Sequence, residues 1–561
     1  MKTMSKYIVS IVLLFSVSCN VDNFLDETPQ INLSESFLNE NLAVCQQYIV
    51  SVYGGRVEGK YLNERYIDML PTPYVVKRDM EISRHTLTSE DQTVLAFWRQ
   101  NYEYHNRATV LLRGLYNLTD TTKDDKGYII RDRLKGEAKF LRALRDYQLV
   151  KAFGNVPLPS VPITMTNIKE DAPQLTQEEG FQFIANDLRD AAYGDEKLPT
   201  KDEWPAEQLG RATRDAAKTL LAKVYIELGE YGNARIVANE VINSGIYDLY
   251  SNKYGDWSNY YDIFRQKQEN GPGSIFEWQQ AVAEDHLMAT EYNRDMSPTV
   301  TTKLAVYGYD GARVPSVLWD TISVNGDEVV LMQDTLKWGD IVPADSVPAN
   351  QRSGIDWTEG SGLMGALSSY LIEQFRQPDL TYDPRKFVTV MENGSWYPGF
   401  GLVWIMTDVY SGWLGKNIGT REDKWNNIGW WFGKNVMVFR YADLLLTYAE
   451  ATALTGDNLD DAIDKINMVR ARVSVTPRPA GASQAQVLEW VRKERILELF
   501  GEGGSFYDLQ RYAKHHPGWT WASIMDHEDE ESSPFDPAKH SLYPIPQYEI
   551  DIAGYKQNPG Y

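Results

Sequence analysis

Cysteine is almost missing from this chain. Cys19 and Cys45 are the only two among 561 residues, which excludes a disulfide framework as the source of stability. The fold must instead rest on a large apolar core. A chain of this length can build one, because the buried fraction of surface rises with size. Histidine is nearly as scarce: the seven present form no H-E-x-x-H pair and none stands at ligand spacing from a cysteine. His515-His516, among Tyr512, Lys514 and Pro517, reads as part of a surface loop. Positive charge is in deficit, with 56 Lys and Arg against 78 Asp and Glu and a net charge of -22. That balance argues against nucleic acid as a partner, since such binding needs basic stripes that release counterions. It suits a protein kept in solution by its own acidity.

Long apolar runs are lacking too. A membrane-spanning helix needs about 20 apolar residues, and the nearest approach is the short run Tyr7–Phe15 (YIVSIVLLF). Lys2 and Lys6 precede it and Ser16-Val17-Ser18-Cys19 follows, the plan of a removable signal over 1–18. Cleavage before Cys19 leaves an N-terminal cysteine whose thiol and amine can be acylated, as in bacterial lipoproteins. Each acyl methylene buried in the bilayer contributes ~0.8 kcal/mol, so several chains anchor firmly. Cys45 then has no partner. The alternative is a plain secreted protein cut at Ser18.

What the chain does have is helical periodicity. Ala217, Leu220, Leu221, Val224, Tyr225 and Leu228 follow a one-sided stripe, with Thr213 placed as its N-cap. Gly229-Glu230-Tyr231-Gly232 breaks it, and Ala234, Val237, Ala238, Val241 and Ile242 form a returning stripe. The same unit recurs with Tyr441, Leu444, Leu445, Tyr448 and Ala449, a break at Thr455–Asn458, then Ala462, Ile463, Ile466 and Val469. Helix, glycine turn, helix with small contact residues is the tetratricopeptide pattern. Further stripes run through Gly136–Phe153 and Gln486–Phe500. The predicted fold class is therefore mostly α, with tetratricopeptide-like stacked helix pairs. Residues 20–249 form an N-terminal helical part, 250–433 a loop-rich, aromatic-rich insertion, 434–512 a C-terminal helical repeat and 513–561 an extended tail. Together they make one domain over 19–561.

Several segments in order resemble the SusD/RagB family of outer-membrane nutrient-binding lipoproteins. They are Asn23-Phe24-Leu25-Asp26 with Pro29, Glu137–Ala143 followed by Phe153–Leu158, and Arg211-Ala212-Thr213. The most specific is Arg440–Leu446 with Tyr448–Ala451. Asn467, Arg470, Arg472, Glu494-Arg495, Glu498, Gly501–Gly503, Asp508-Leu509, Arg511 and the closing Gln557–Tyr561 continue it. Ser505 departs, standing where the family usually has a basic residue. The resemblance implies an outer-membrane protein, lipid-anchored on the extracellular face. It captures oligosaccharide or polysaccharide and delivers it to a SusC-like TonB-dependent transporter. A related branch binds peptides, and the family carries out no hydrolysis. Readings from other classes are a surface glycosidase and a structural tetratricopeptide adaptor.

Most of the matching charges lie beside apolar stripes, where charges occur paired; Arg440, Asp443, Glu450, Glu494 and Arg495 are expected in a buried ion-pair network. The ligand site should be aromatic, because Trp and Tyr rings stack on the C–H face of a sugar while Asp, Asn and Arg bond its hydroxyls. By family analogy it lies between the region before the first long helices and the insertion. The candidates are Tyr66, Asp68, Arg78, Asp79, Trp98 and Asn101, with Tyr292, Trp396 and Tyr397 from the insertion. Trp98 is expected where an irregular segment meets the scaffold. No cofactor is expected, although the acidic run Asp526–Glu531 could gather calcium through its oxygens. Gly501–Gly504 lacks the lysine of a phosphate loop and reads as a helix end.

Overall fold

Each stripe read from the sequence becomes a helix with its apolar side in the core. The computed structural model describes residues 38–39, 41–54, 64–75, 81–163, 167–251, 260–279, 366–392, 435–526 and 534–561. It also describes Lys416 and short strands between 314 and 432. In the N-terminal half, α1 (Leu42–Tyr53) and α2 (Glu64–Met69) precede two long helices, α3 (Gln92–Asn117) and α4 (Ile130–Phe153). Then come α5 (Gln177–Tyr193), α6 (Arg214–Glu227) and α7 (Tyr231–Ile242). Each of α3 to α7 packs on the next, and α1 lies across α3 and α4. Thr213 caps α6 as its position predicts, accepting from the Ala216 N–H at 3.0 Å. Leu220, Leu221 and Val224 are fully buried.

The insertion interrupts the stack without opening it. Its two ends are stapled by an antiparallel ribbon in which Ser274–Trp278 pairs with Val436–Arg440. The Tyr441 N–H also bonds the Gly273 carbonyl at 2.9 Å. Beyond a short helix α8 (Ser369–Gln374), α9 (Tyr441–Thr455) therefore packs directly on α7 and continues the array. Its stripe is buried from Tyr441 to Ala453, and Gly456 ends it with φ of 76°, a left-handed conformation that suits glycine. Helices α10 (Leu459–Ala471) and α11 (Gln484–Leu499) both pack against α9, and α12 (Ser505–His515) follows.

Helix α4 is buried nearly all round although it carries many charges. Every long cation on it finds an anion or an aromatic ring. Arg142 pairs with Asp187 at 2.8 Å, Lys139 with Glu196 at 2.6 Å and Lys151 with Glu227 at 2.6 Å. Arg145 lies over the rings of Tyr104 and Trp278. Gly136 permits the approach of the next loop, because a Cβ there would lie 2.1 Å from the Glu196 carbonyl oxygen.

Two expectations need correction. His515 closes α12 rather than sitting in a loop, and His516 is only 4% exposed. The ring of His516 fills the space between Glu450, 3.0 Å from Nε2, and Arg492, 3.0 Å from Nδ1. The tail is also less extended than expected. Pro537 opens a short turn capped by Asp536, and α13 (Gln547–Ala553) packs Ile550 against the core.

Candidate ligand-binding face

Residues 67–75 leave α2 and run onto the insertion. Val75 pairs with Leu367 in a single bridge. Ser368 donates its hydroxyl to the Pro73 carbonyl at 2.7 Å and its N–H to the Tyr74 carbonyl at 3.0 Å. The rings of Tyr74 and Tyr370 stack with centroids 5.9 Å apart, and Phe500 meets Tyr74 edge-on at 5.7 Å. Strand Gly412–Leu414 then lies between Ala366–Leu367 and Val390–Met391, pairing with both. The backbone of Trp413 is thus one strand removed from Val75. Trp396–Tyr397 forms a hairpin with Leu402–Val403 inside the same connection.

Beneath this junction lies the ion-pair network. Glu498 of α11 meets Arg440 at 2.9 Å and Arg385 at 3.1 Å, and it also pairs with Arg472. Arg385, wholly buried, bonds Asp383 at 2.8 Å and forms an ion pair with Glu494 at 2.7 Å. Burial alone would raise the Glu498 carboxyl. The guanidiniums of Arg472, Arg440 and Arg385 outweigh that and hold it far below the usual carboxylate range. Lys416, from the insertion, donates to the Glu498 carbonyl at 2.6 Å and pairs with Glu502; burial pushes its ammonium down to about 8, against the pull of Glu502. The insertion is therefore pinned to α11 through charge. Arg440, Asp443, Glu450, Glu494 and Arg495 all belong to ion pairs, as their positions predict. Arg385 and Lys416 gave no sequence signal, since they lie where no period marks an inward face.

The structure redistributes the candidate residues. Asp68 is 1% exposed and faces α12 instead of solvent. Its carboxylate accepts from the N–H groups of Phe506 at 3.0 Å and Tyr507 at 3.1 Å, as well as from those of Gly504 and Ser505. Burial raises it to about 7 while those N–H groups pull the other way. Trp98 is no open platform either. Asp91 caps α3, accepting from Thr93 and Val94, so the helix starts earlier than expected and Trp98 lies inside it. The ring is 3% exposed, edge-on to Phe153 at 4.9 Å. Asn101 is 1% exposed and donates to the Phe97 carbonyl at 2.9 Å. Both oxygens of Asp68 are engaged and Trp98 and Asn101 belong to the core, so none of the three offers a surface to a large ligand.

Tyr66 lies in α2, and Trp396 and Tyr397 in their strand, with side chains outside the described residues. Arg78, Asp79, Tyr292 and Cys19 lie outside the described residues altogether. The acidic run does so too except for Asp526, and among the described residues no carboxylate or histidine cluster is placed to hold a metal.

Residues 350–561 match the sequence model of the SusD family, and residues 23–226 match a second, described as "Starch-binding associating with outer membrane". The chain belongs to the SusD/RagB family. A SusD-like protein of Bacteroides ovatus is 23% identical over 553 residues, covering 92% of this chain and 84% of its own. SusD-like protein P2 of Formosa agariphila is 24% identical, covering 86% and 84%. Among solved structures, a laminarin-binding SusD-like protein superposes with a TM-score of 0.65 at 23% identity over 93% of this chain and 100% of its own. Surface glycan-binding protein A of Bacteroides fluxus does so with 0.65 at 18%, over the same shares. The SusD fold is thus the stacked helical array described here, with the insertion seated on it.

Proposed function

We propose that this SusD-family protein is a cell-surface glycan-binding lipoprotein. It captures oligosaccharide or polysaccharide and passes it to a SusC-like TonB-dependent outer-membrane transporter, with separate enzymes doing the cutting. The observation that carries this reading is the junction at Val75, Leu367 and Trp413, where the N-terminal segment and the aromatic insertion meet over a rigid charged base. The starch-binding description of the matching family model and the laminarin-binding relative support a sugar as the ligand. Trp396, Tyr397 and Tyr66 supply stacking faces, Tyr292 a further ring, and Arg78 and Asp79 the bonds to hydroxyls. Acyl chains on Cys19 hold the protein to the outer membrane, facing outward.

Affinity-gel electrophoresis with laminarin, starch and other polysaccharides tests it. At least one gel should retard the protein, and Trp396→Ala or Tyr397→Ala should cost about 2 kcal/mol of binding, roughly thirtyfold in affinity. Trp98→Phe should bind as the parent does. Cys19→Ala should move the protein out of the membrane fraction. No retardation in any gel, with retention on peptide columns instead, would replace the glycan with a peptide.

A further inference from the structure

Helix α3 borders a second concavity, unrelated to the junction. A cleft of about 290 Å3 opens between Trp98, Tyr102 and Asn106 of α3, Ile163 of the loop after α4, and Glu549 and Tyr555 of the tail. None of its lining residues belongs to 67–75 or to the insertion.

Its walls are fixed from behind. Tyr102 donates its hydroxyl to the Pro157 carbonyl at 2.7 Å. His105, buried under the cleft, reaches Asp146 at 2.6 Å through Nδ1 and the Pro159 carbonyl at 2.9 Å through Nε2. Gln174 grips the tail next to Tyr555 twice, donating to the Lys556 carbonyl at 3.0 Å and accepting from its N–H at 2.9 Å. A pre-formed concavity with apolar walls and a few convergent polar groups is the usual shape of a small-molecule site.

The lining chemistry narrows the ligand. Three aromatic rings stand together, Trp98 lying 4.7 Å from Tyr102 and 6.4 Å from Tyr555 between centroids. Asn106 uses only its oxygen, in a long 3.4 Å contact with the Ile163 N–H; its amide nitrogen bonds no described residue. Arg99 and Glu549 stand 3.8 Å apart, beyond hydrogen-bond length, so each keeps capacity for a partner. Aromatic rings together with an amide, a carboxylate and a guanidinium around one cleft match a sugar ring. The volume is just under the ~300–1,000 Å3 of sites for drug-sized ligands, which admits one ring and not a chain of them.

We propose that this cleft is a second carbohydrate subsite that takes a single pyranose ring, rings of Tyr102 and Tyr555 against its C–H face and Asn106, Arg99 and Glu549 on its hydroxyls. The proposal rests on the glycan reading. Two grips on one polysaccharide raise avidity through effective concentration, with no change in either contact.

Saturation-transfer NMR on the full chain, with millimolar methyl glucosides, galactosides and mannosides as probes, tests it. At least one glycoside should show transfer. Asn106→Ala and Tyr555→Ala should each weaken it about tenfold, a loss of ~1.4 kcal/mol. Tyr555→Ala could loosen the tail, so Asn106→Ala, a change on the surface of α3, carries the decision. No transfer from any glycoside, or transfer undiminished in Asn106→Ala, overturns the subsite. If polysaccharide gels still retard that protein, the glycan reading survives and only the cleft fails. If gels and NMR are both silent, both readings fall.

Discussion

Glu498 takes three guanidiniums on two carboxylate oxygens in a place water does not reach. A buried pair adds little over a hydrophobic filling, yet removing one partner strands the others, at about 3–5 kcal/mol. Glu498→Gln keeps the shape and removes the charge, so urea unfolding should show a loss of that size; a shift below ~1 kcal/mol would mean the guanidiniums find water or other anions. That these charges would be paired was legible, because they punctuate apolar stripes. Which anion meets which cation was not, since Arg440 and Glu502 are brought together only by the stacking of α11 beside α9. Trp98 went astray for a simpler reason. The polar stretch before it reads as irregular, but Asp91 caps a helix there and turns the ring toward Phe153.

Elements were easier to read than their partners. The stripes of α6, α7, α9 and α10 follow from spacing alone, and the glycine turns mark their ends. The capping of α12 had no local sign. Its N-terminus is closed by Asp68, which sits in another element far back in the chain. Ordinary caps contribute ~0.5–2 kcal/mol, and leaving buried donors unsatisfied adds to that. Asp68→Ala should therefore cost about 2 kcal/mol or more, and hydrogen exchange should speed up at Gly504–Tyr507 before the rest of the core. Exchange unaltered at those amides would show that the helix start has other acceptors. The insertion was legible only as composition. Its short strands pair across long connections, as between Val75 and Leu367, and no period of 2 persists long enough to mark them.

At the scale of the whole molecule, the buried carboxylates of the ion-pair network set the response to acid. Asp443, Glu450, Glu498, Glu502 and Asp508 all have native pKa values lowered by cations that outweigh the cost of burial, Asp443 to about 2. A lowered native value means the unfolded chain binds protons more readily. Their stabilisation is complete above the unfolded carboxylate range, about 4, and drains as pH falls through the native values. Asp68, raised by burial to about 7, and Asp146 and Asp215, raised by burial as well, run the other way, gaining stability as pH falls through their native values. The melting temperature should thus rise slightly from pH 7 to 5 as Asp68 takes up its proton, and fall steeply from about 4 to 2. A calorimetric scan at pH 3 that matched the one at pH 7 would contradict the network.

The tail adds a matter of timing. The Tyr543 N–H bonds the Ala152 carbonyl at 2.8 Å, Asn558 holds the Phe153 carbonyl at 2.9 Å, and the Tyr543 hydroxyl reaches Ile67. Tyr543 and Asn558 thus seal contacts with residues synthesised about 400 positions earlier. At ~5–20 residues per second, the 405 residues from Phe153 to Asn558 take roughly 20 to 80 seconds to synthesise. For all that interval the C-terminal end of α4 lacks its cover. A chain cut before Tyr543 would carry an open core, fit for degradation and not for duty. Until Asn558 has arrived, the end of α4 stays unlocked however well the earlier helices have packed.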